Sequence, residues 1–284
     1  MCDTLCVPIV LISLKDSHGF VLPDELIVER LFAQPSYRPM MGLTSIDAGK
    51  FFRNRYDASL LSQRRRVIAE QRIRCVFEND VSEEVIRFAG TWIATSEISG
   101  FAQQGGIWEP DFVLVQKQNP QNLVGGCVCF PTGWHPEEKM GKPLVSAHGI
   151  VPGLNSALGA KIAPFIAGLA EGRCYQRTNW GLTASDQLDQ HPSCQIPEIR
   201  LRQGYGGQAG GQVKDEVFLR IEWQALTSLT TDLAVFGIRI FHLRLEQLDA
   251  HSRGLLKENL RTMPAEMLRY KRIEHCRDWL VERL

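Results

Sequence analysis

The sequence predicts an α+β protein in which helices stand before, within and after an antiparallel sheet. Three observations carry this. Past Gly105-Gly106 the periodicity changes from helical to extended. Two apolar runs, Phe112–Val115 and Leu123–Phe130, flank the turn-forming Asn119-Pro120-Gln121-Asn122 and read as a β-hairpin. Two longer segments, Val217–Leu226 and Ala234–Leu243, have the alternation of half-buried strands.

Taken in order, residues 1–36 read as an N-terminal extension: a short apolar strand, a Ser17-His18-Gly19 turn and a helix from Pro23 to Phe32. Residues 37–284 read as the main domain. Asp47 is placed to cap a helix. Leu60–Phe77 has apolar residues at helical spacing, and its Arg64-Arg65-Arg66 run reads as a solvated helix face. A second helix is expected over Val81–Ser96, capped by Asp80 or Ser82, with Glu83 and Glu84 in its first turn. After the hairpin, Ala160–Glu171 reads as a helix and Arg177–Leu182 as a short strand. The glycine run at 204–212 reads as a flexible insert. No Lys-Ser/Thr pair and no helix follow it, so it is not a phosphate loop. The C-terminal segment from Asp249 is expected to be helical, with Pro264 opening its last helix.

Composition narrows the classes of function. Lys plus Arg equals Asp plus Glu at 32 each, so nothing points to nucleic acid or an anionic membrane surface. Eight scattered cysteines without a C-x-x-C pair argue for free cytoplasmic thiols, against a disulfide framework and against an iron–sulfur or structural zinc set. The apolar stretch Cys6–Leu14 is too short and too poorly flanked for a signal peptide or a membrane span.

The densest chemical signal is the Pro/Gly-punctuated segment from Cys129-Phe130-Pro131-Thr132-Gly133-Trp134-His135-Pro136 through Lys142-Pro143 to His148 and Val151-Pro152-Gly153. Proline fixes φ and glycine permits φ > 0, so such a run shapes backbone around something. His148 is the leading candidate ligand, and imidazole suits iron, zinc and copper alike. His135 is the runner-up, in what reads as an exposed turn. Strand alternation puts Arg177 and Asn179 on one face, where they can hold a carboxylate, or leaves Arg177 at the surface beside a core Trp180. The same rule groups Arg220, Glu222 and Gln224, either as a solvated face or as a polar pocket wall.

Together, Cys129–Trp134, Lys142-Pro143, His148 with Val151-Pro152-Gly153, Arg177–Trp180 and Leu219–Gln224 resemble, in order, the motifs of the haem-dependent oxidative N-demethylase family, in its haem-bearing alpha subunit. Tyr37–Leu43 and Arg55-Tyr56-Asp57 are similar to that family's entry segment, so the resemblance spans roughly residues 37–245. It implies a PAS-like fold, haem b and a small secondary amine such as dimethylamine, oxidised with O2 to release formaldehyde. His148 would be the iron ligand. Arg177, Arg220, Trp134, Lys142 and Trp180 would bind the cofactor, and Glu222, Asn179 and Gln224 would line the catalytic pocket. Trp223 departs from the family pattern, which has a basic residue there, and bears on substrate identity. The sequence has no dinucleotide fingerprint and no cysteine set for an iron–sulfur centre, so electrons would come from a reductase subunit carrying a flavin and an iron–sulfur centre. A second reading, also resting on the resemblance, is a PAS-like haem-binding sensor or carrier without catalysis; a third is a scaffold subunit that keeps the fold without the cofactor.

Overall fold

A computed structural model describes residues 14–24, 26, 28–32, 34, 36–38, 41–55, 58–78, 81–83, 85, 99–199 and 216–284. Its frame is a seven-stranded sheet of β1 (Thr44–Ile46), β2 (Val76–Phe77), β3 (Asp111–Gln116), β4 (Leu123–Cys127), β5 (Cys174–Thr183), β6 (Phe218–Ser228) and β7 (Leu233–Arg244). The spatial order is β1-β5-β6-β7-β3-β4-β2 and every pairing is antiparallel. The expected α+β class is what the chain adopts.

The β3–β4 hairpin turns through a cis Asn119-Pro120 bond. Gly126 in β4 has φ 147°, and a Cβ there would lie 2.2 Å from the Phe112 carbonyl oxygen. Only glycine lets the two strands come that close. β6 and β7 are the longest strands and pair over eleven residues, from Phe218↔Arg244 to Ser228↔Ala234.

The sheet has two unlike faces, set by alternation along each strand. One presents Leu219, Ile221, Trp223 and Ala225 of β6, all buried in the main core with Phe51, Phe52, Trp108 and Phe112. Trp223 is wholly buried there. Its ring is 4.7 Å from Phe51 and its indole N–H donates to Gln176 Oε1 at 2.7 Å. The position where the sequence departs from the family pattern therefore lies in the core, on the face opposite Glu222. The other face carries Arg220, Glu222 and Gln224, then Leu226, which joins Val113, Val115, Val128, Ile166 and Leu169 in a second, smaller cluster.

Helices wrap both faces. α1 (Ala48–Phe52) is capped by Asp47, whose carboxylate accepts from Lys50 N, as expected. α2 (Ala58–Cys75) is interrupted at Gln71, which leaves helical geometry. Arg64 on α2 corrects the sequence reading: it is fully buried, not solvated, donating to Asp111 Oδ1 at 2.6 Å and to Gly105 O at 2.7 Å. Asp111 also accepts from the backbone N–H groups of Cys129 and Phe130 at 2.7 and 2.9 Å, so the pair ties α2 to the start of the Pro/Gly segment. Arg65 and Arg66 are exposed as expected. α3 is Phe101–Ile107, α4 Leu144–Ala147 and α5 Leu154–Ala167, the last beginning six residues before the expected Ala160.

The C-terminal segment forms α6 (Ala250–Thr262), α7 (Ala265–Tyr270) and α8 (Arg277–Arg283). Asp249 caps α6, and Pro264 opens α7 rather than the last helix. Phe20, Leu22, Leu26 and Phe32, expected in an extension, are buried in the main core. The expected strand around Cys6, most of the helix over Val81–Ser96 and the glycine-rich insert lie outside the described residues. Among the described residues no helix is long and apolar enough to cross a membrane.

Candidate functional site

β5 and β6 pair so that Asn179 faces Glu222, Arg177 faces Gln224 and Gly181 faces Arg220. This register puts the five polar side chains singled out by sequence on one sheet face. The Glu222 carboxylate is their centre. Thr132 Oγ1 donates to its Oε1 at 2.5 Å, while Asn179 Nδ2 and Gln224 Nε2 donate to its Oε2 at 3.1 and 2.8 Å. Three donors from three chain segments fix the carboxylate more firmly than a side chain in water, since each bond restricts the same rotamer.

Arg220 supports this group from below. It is fully buried, and Nε donates to Thr132 Oγ1 at 2.9 Å, one NH2 group to Phe130 O at 3.0 Å and the other to Gln187 O at 3.3 Å. His242 Nε2 lies 3.1 Å from the same guanidinium. Burial draws the Arg220 pKa down to about 10, with the charges of Glu222, Asp111 and Asp189 opposing. The expected cofactor contact thus has its donors engaged by protein. Arg220 reaches Glu222 through Thr132, which accepts from the arginine and donates to the carboxylate.

His148 and Arg177 are different, because each keeps an unsatisfied polar atom. His148 ends the short α4, where a 3-10 turn from His148 to Ile150 begins. Its Nδ1 is buried with no hydrogen-bond partner among the described residues, and the same holds for Arg177 Nε. Burial, helped by the nearby Arg177 charge, lowers the His148 pKa to about 4, so the imidazole is neutral at pH 7. Arg177 is itself pulled down by burial, against the charges of Glu222 and Tyr37. A neutral imidazole with an unpartnered buried nitrogen, next to a guanidinium with a spare donor, fits a haem: one group offers an iron ligand and the other a partner for a propionate.

The remaining predicted positions separate. Trp134 is half-buried against the second core cluster. Lys142 is exposed. Trp180 points to the opposite face from Asn179, where its ring meets Phe32 and Tyr37 edge-on.

Two residues at the site escaped the sequence reading. Lys271, just after α7, donates from Nζ to the Trp180 carbonyl and lies 4.9 Å above that indole ring. Burial lowers its pKa to about 8, Glu222 opposing and Arg177 adding to the shift. Burial raises the Tyr270 pKa, and Glu222 raises it further. Tyr37, named only as part of an entry segment, is pushed to about 12 by burial and by Tyr270, against Arg177. Tyr37 and Lys271 pack on the Trp180 ring, on the other side of β5 from Glu222, so charge rather than contact links these residues to the Glu222–Arg177 pair. Two cavities of about 270 Å³ lie elsewhere, one beside α1 and one lined by Phe20, Arg55, Glu109 and Arg239.

Fold and site together define a class: an α+β protein whose antiparallel sheet presents a polar face centred on the Glu222 carboxylate. The chain matches, over residues 60–281, the family described as haem-dependent oxidative N-demethylase, alpha subunit-like, and belongs to that family. No curated protein shows significant similarity to it.

Proposed function

We propose that this chain binds haem b through His148 and demethylates a small secondary amine oxidatively. The observation that carries the reading is the buried Nδ1 of a neutral His148, which feels the Arg177 charge, while Arg177 Nε is buried as well, neither atom having a hydrogen-bond partner among the described residues, and Arg177 shares its sheet face with the Glu222 carboxylate. Bound haem would supply the one-electron and O2 chemistry that side chains lack.

The chain's own residues supply binding and orientation. Glu222, clamped by Thr132, Asn179 and Gln224, is a fixed anion that pairs with a protonated dimethylamine-like substrate, and holding the amine in one place is itself catalytic. Glu222 also stands ready to take the ammonium proton before the nitrogen reacts. Arg177 offers a charge-assisted bond to a propionate, and Trp134 and Lys142 belong to the loop that frames the cofactor. We read the sheet as PAS-like, and the membership of an alpha-subunit-like family as the mark of a partner. That partner would be a cytoplasmic reductase subunit that passes electrons through flavin and iron–sulfur centres.

The test begins with absorption. Purified protein should show a haem Soret band that His148→Ala loses, and the haem-loaded chain should release formaldehyde from dimethylamine when given reductant and O2. A band that survives His148→Ala rules out this ligand. Haem without amine turnover would favour a sensor or carrier, and a chain that stays colourless after haem reconstitution would favour a scaffold.

A further inference from the structure

The loop that brings Thr132 to Glu222 and the loop that brings Gln187 to Arg220 meet again at a second cluster, which amine oxidation does not use. Thr132 and Gln190 form a parallel bridge, with Gly133 N donating to Gln190 O at 2.9 Å and Gln190 N to Pro131 O at 3.2 Å. Just beyond this bridge, His135 Nδ1 is 3.1 Å from Glu137 Oε1. His191 Nε2 is 3.1 and 3.3 Å from the two oxygens of the same carboxylate. The ligand atoms of all three residues lie within 4.8 Å of one another, and the two imidazole rings stand at 87°.

We propose that His135, Glu137 and His191 form a binding site for a divalent transition ion of the zinc type, with its fourth position open to solvent. Two imidazoles and one carboxylate are a donor set that such ions take readily, whereas magnesium and calcium prefer oxygen alone. Tetrahedral bonds of roughly 2.0–2.2 Å separate neighbouring ligand atoms by about 3.3–3.5 Å. The imidazole-to-carboxylate spacings are already near that value. The imidazole-to-imidazole distance closes by rotation of half-buried His135, while buried His191 stays in place.

Local sequence prepares the site. Each histidine precedes a proline, Pro136 or Pro192, which keeps its backbone extended and narrows the directions its ring can take. Pro136 opens the 3-10 turn Pro136–Glu138 that carries Glu137 round beside His135. Ser193 completes the surroundings, with Oγ 2.7 Å from His191 Nδ1. The Ser193 N–H also addresses Nδ1, at 3.1 Å, which leaves Nε2 facing Glu137. Nε2, the nitrogen that faces Glu137, is the one offered to the ion, and Ser193 Oγ beside Nδ1 is the kind of outer partner that orients metal-bound imidazoles. The ion would staple the Thr132 loop to the Gln187 loop, and through them steady Glu222.

The experiment uses the full chain, stripped with a chelator and titrated with Zn²⁺ against a chromophoric competitor. One equivalent should bind at micromolar affinity or tighter and raise the melting temperature. His135→Ala and Glu137→Gln change only partly exposed side chains and should each weaken binding at least tenfold with the fold retained. His148→Ala should bind zinc like the parent. The proposal is overturned if the parent takes up no equivalent, if the two cluster variants bind as well as the parent, or if His148→Ala abolishes uptake.

Discussion

At the scale of single residues, the site depends on which polar atoms are satisfied and which are not. Glu222 is satisfied three times over, so its geometry survives without substrate, while His148 and Arg177 each retain a buried nitrogen with nothing to bind among the described residues. Glu222→Gln keeps the shape but removes the anion, so amine turnover should fall by about 10²-fold or more in kcat/KM while the Soret band stays. Loss of the band in that variant would make Glu222 a cofactor-binding group instead. Buried His242 governs a different property, the stability of the fold in acid. It has Arg220 against Nε2 and an Nδ1 without a hydrogen-bond partner among the described residues, and burial, Arg220 and His18 hold its pKa well below the usual histidine value. As pH falls the unfolded chain takes up this proton before the folded one does. Stability from this group is therefore complete above about pH 6.5 and declines below it, by at most about 1.4 kcal/mol per pH unit. Denaturation midpoints should fall between pH 7 and 5, His148 adding a slope of the same sign, and His242→Gln should remove the share that belongs to His242. An unchanged slope would assign the acid sensitivity to another group.

At the scale of elements, alternation along β5 and β6 made the site partly legible in the sequence, since it grouped Arg177 with Asn179 and Arg220 with Glu222 and Gln224. The register that sets Asn179 opposite Glu222 was not legible, because cross-strand pairing depends on the connection between the strands and not on either strand alone. Lys271 and Tyr270 were missed for a related reason: they arrive from a helix some ninety residues after Trp180, and nothing in their own neighbourhood marks them. Arg64 did leave a signal. It stands four residues after Leu60 and three before Val67, on the apolar stripe of its helix, where a charge needs a buried partner. That partner is Asp111, so Asp111→Ala should strand the Arg64 charge and cost about 3–5 kcal/mol. Urea unfolding checks it, and a loss below about 1 kcal/mol would show that the pair does not anchor α2.

At the scale of the whole molecule, the two sheet faces divide the work. One is an aromatic and aliphatic core that includes Trp223, and the other carries charge above a smaller apolar cluster. The α+β class was legible because hairpin, long alternating strands and terminal helices each have their own periodicity; the burial of residues near the N-terminus was not, because Phe20, Leu22 and Phe32 find their partners only in the folded chain. This division also bears on electron supply. The described cysteines are free, and Cys75, Cys127, Cys129, Cys174 and Cys276 are buried. The sequence carries no dinucleotide fingerprint, and the function proposed above draws its electrons from a separate reductase. The haem-loaded chain given dimethylamine, O2 and NADH alone should therefore release no formaldehyde above background. The same chain, given amine, O2 and a chemical reductant in excess to supply the two electrons each turnover takes, should release formaldehyde, and a flavin and iron–sulfur reductase should support repeated turnover in place of the chemical reductant. Sustained turnover with NADH alone would place the electron entry within this chain and remove the reason for a separate reductase.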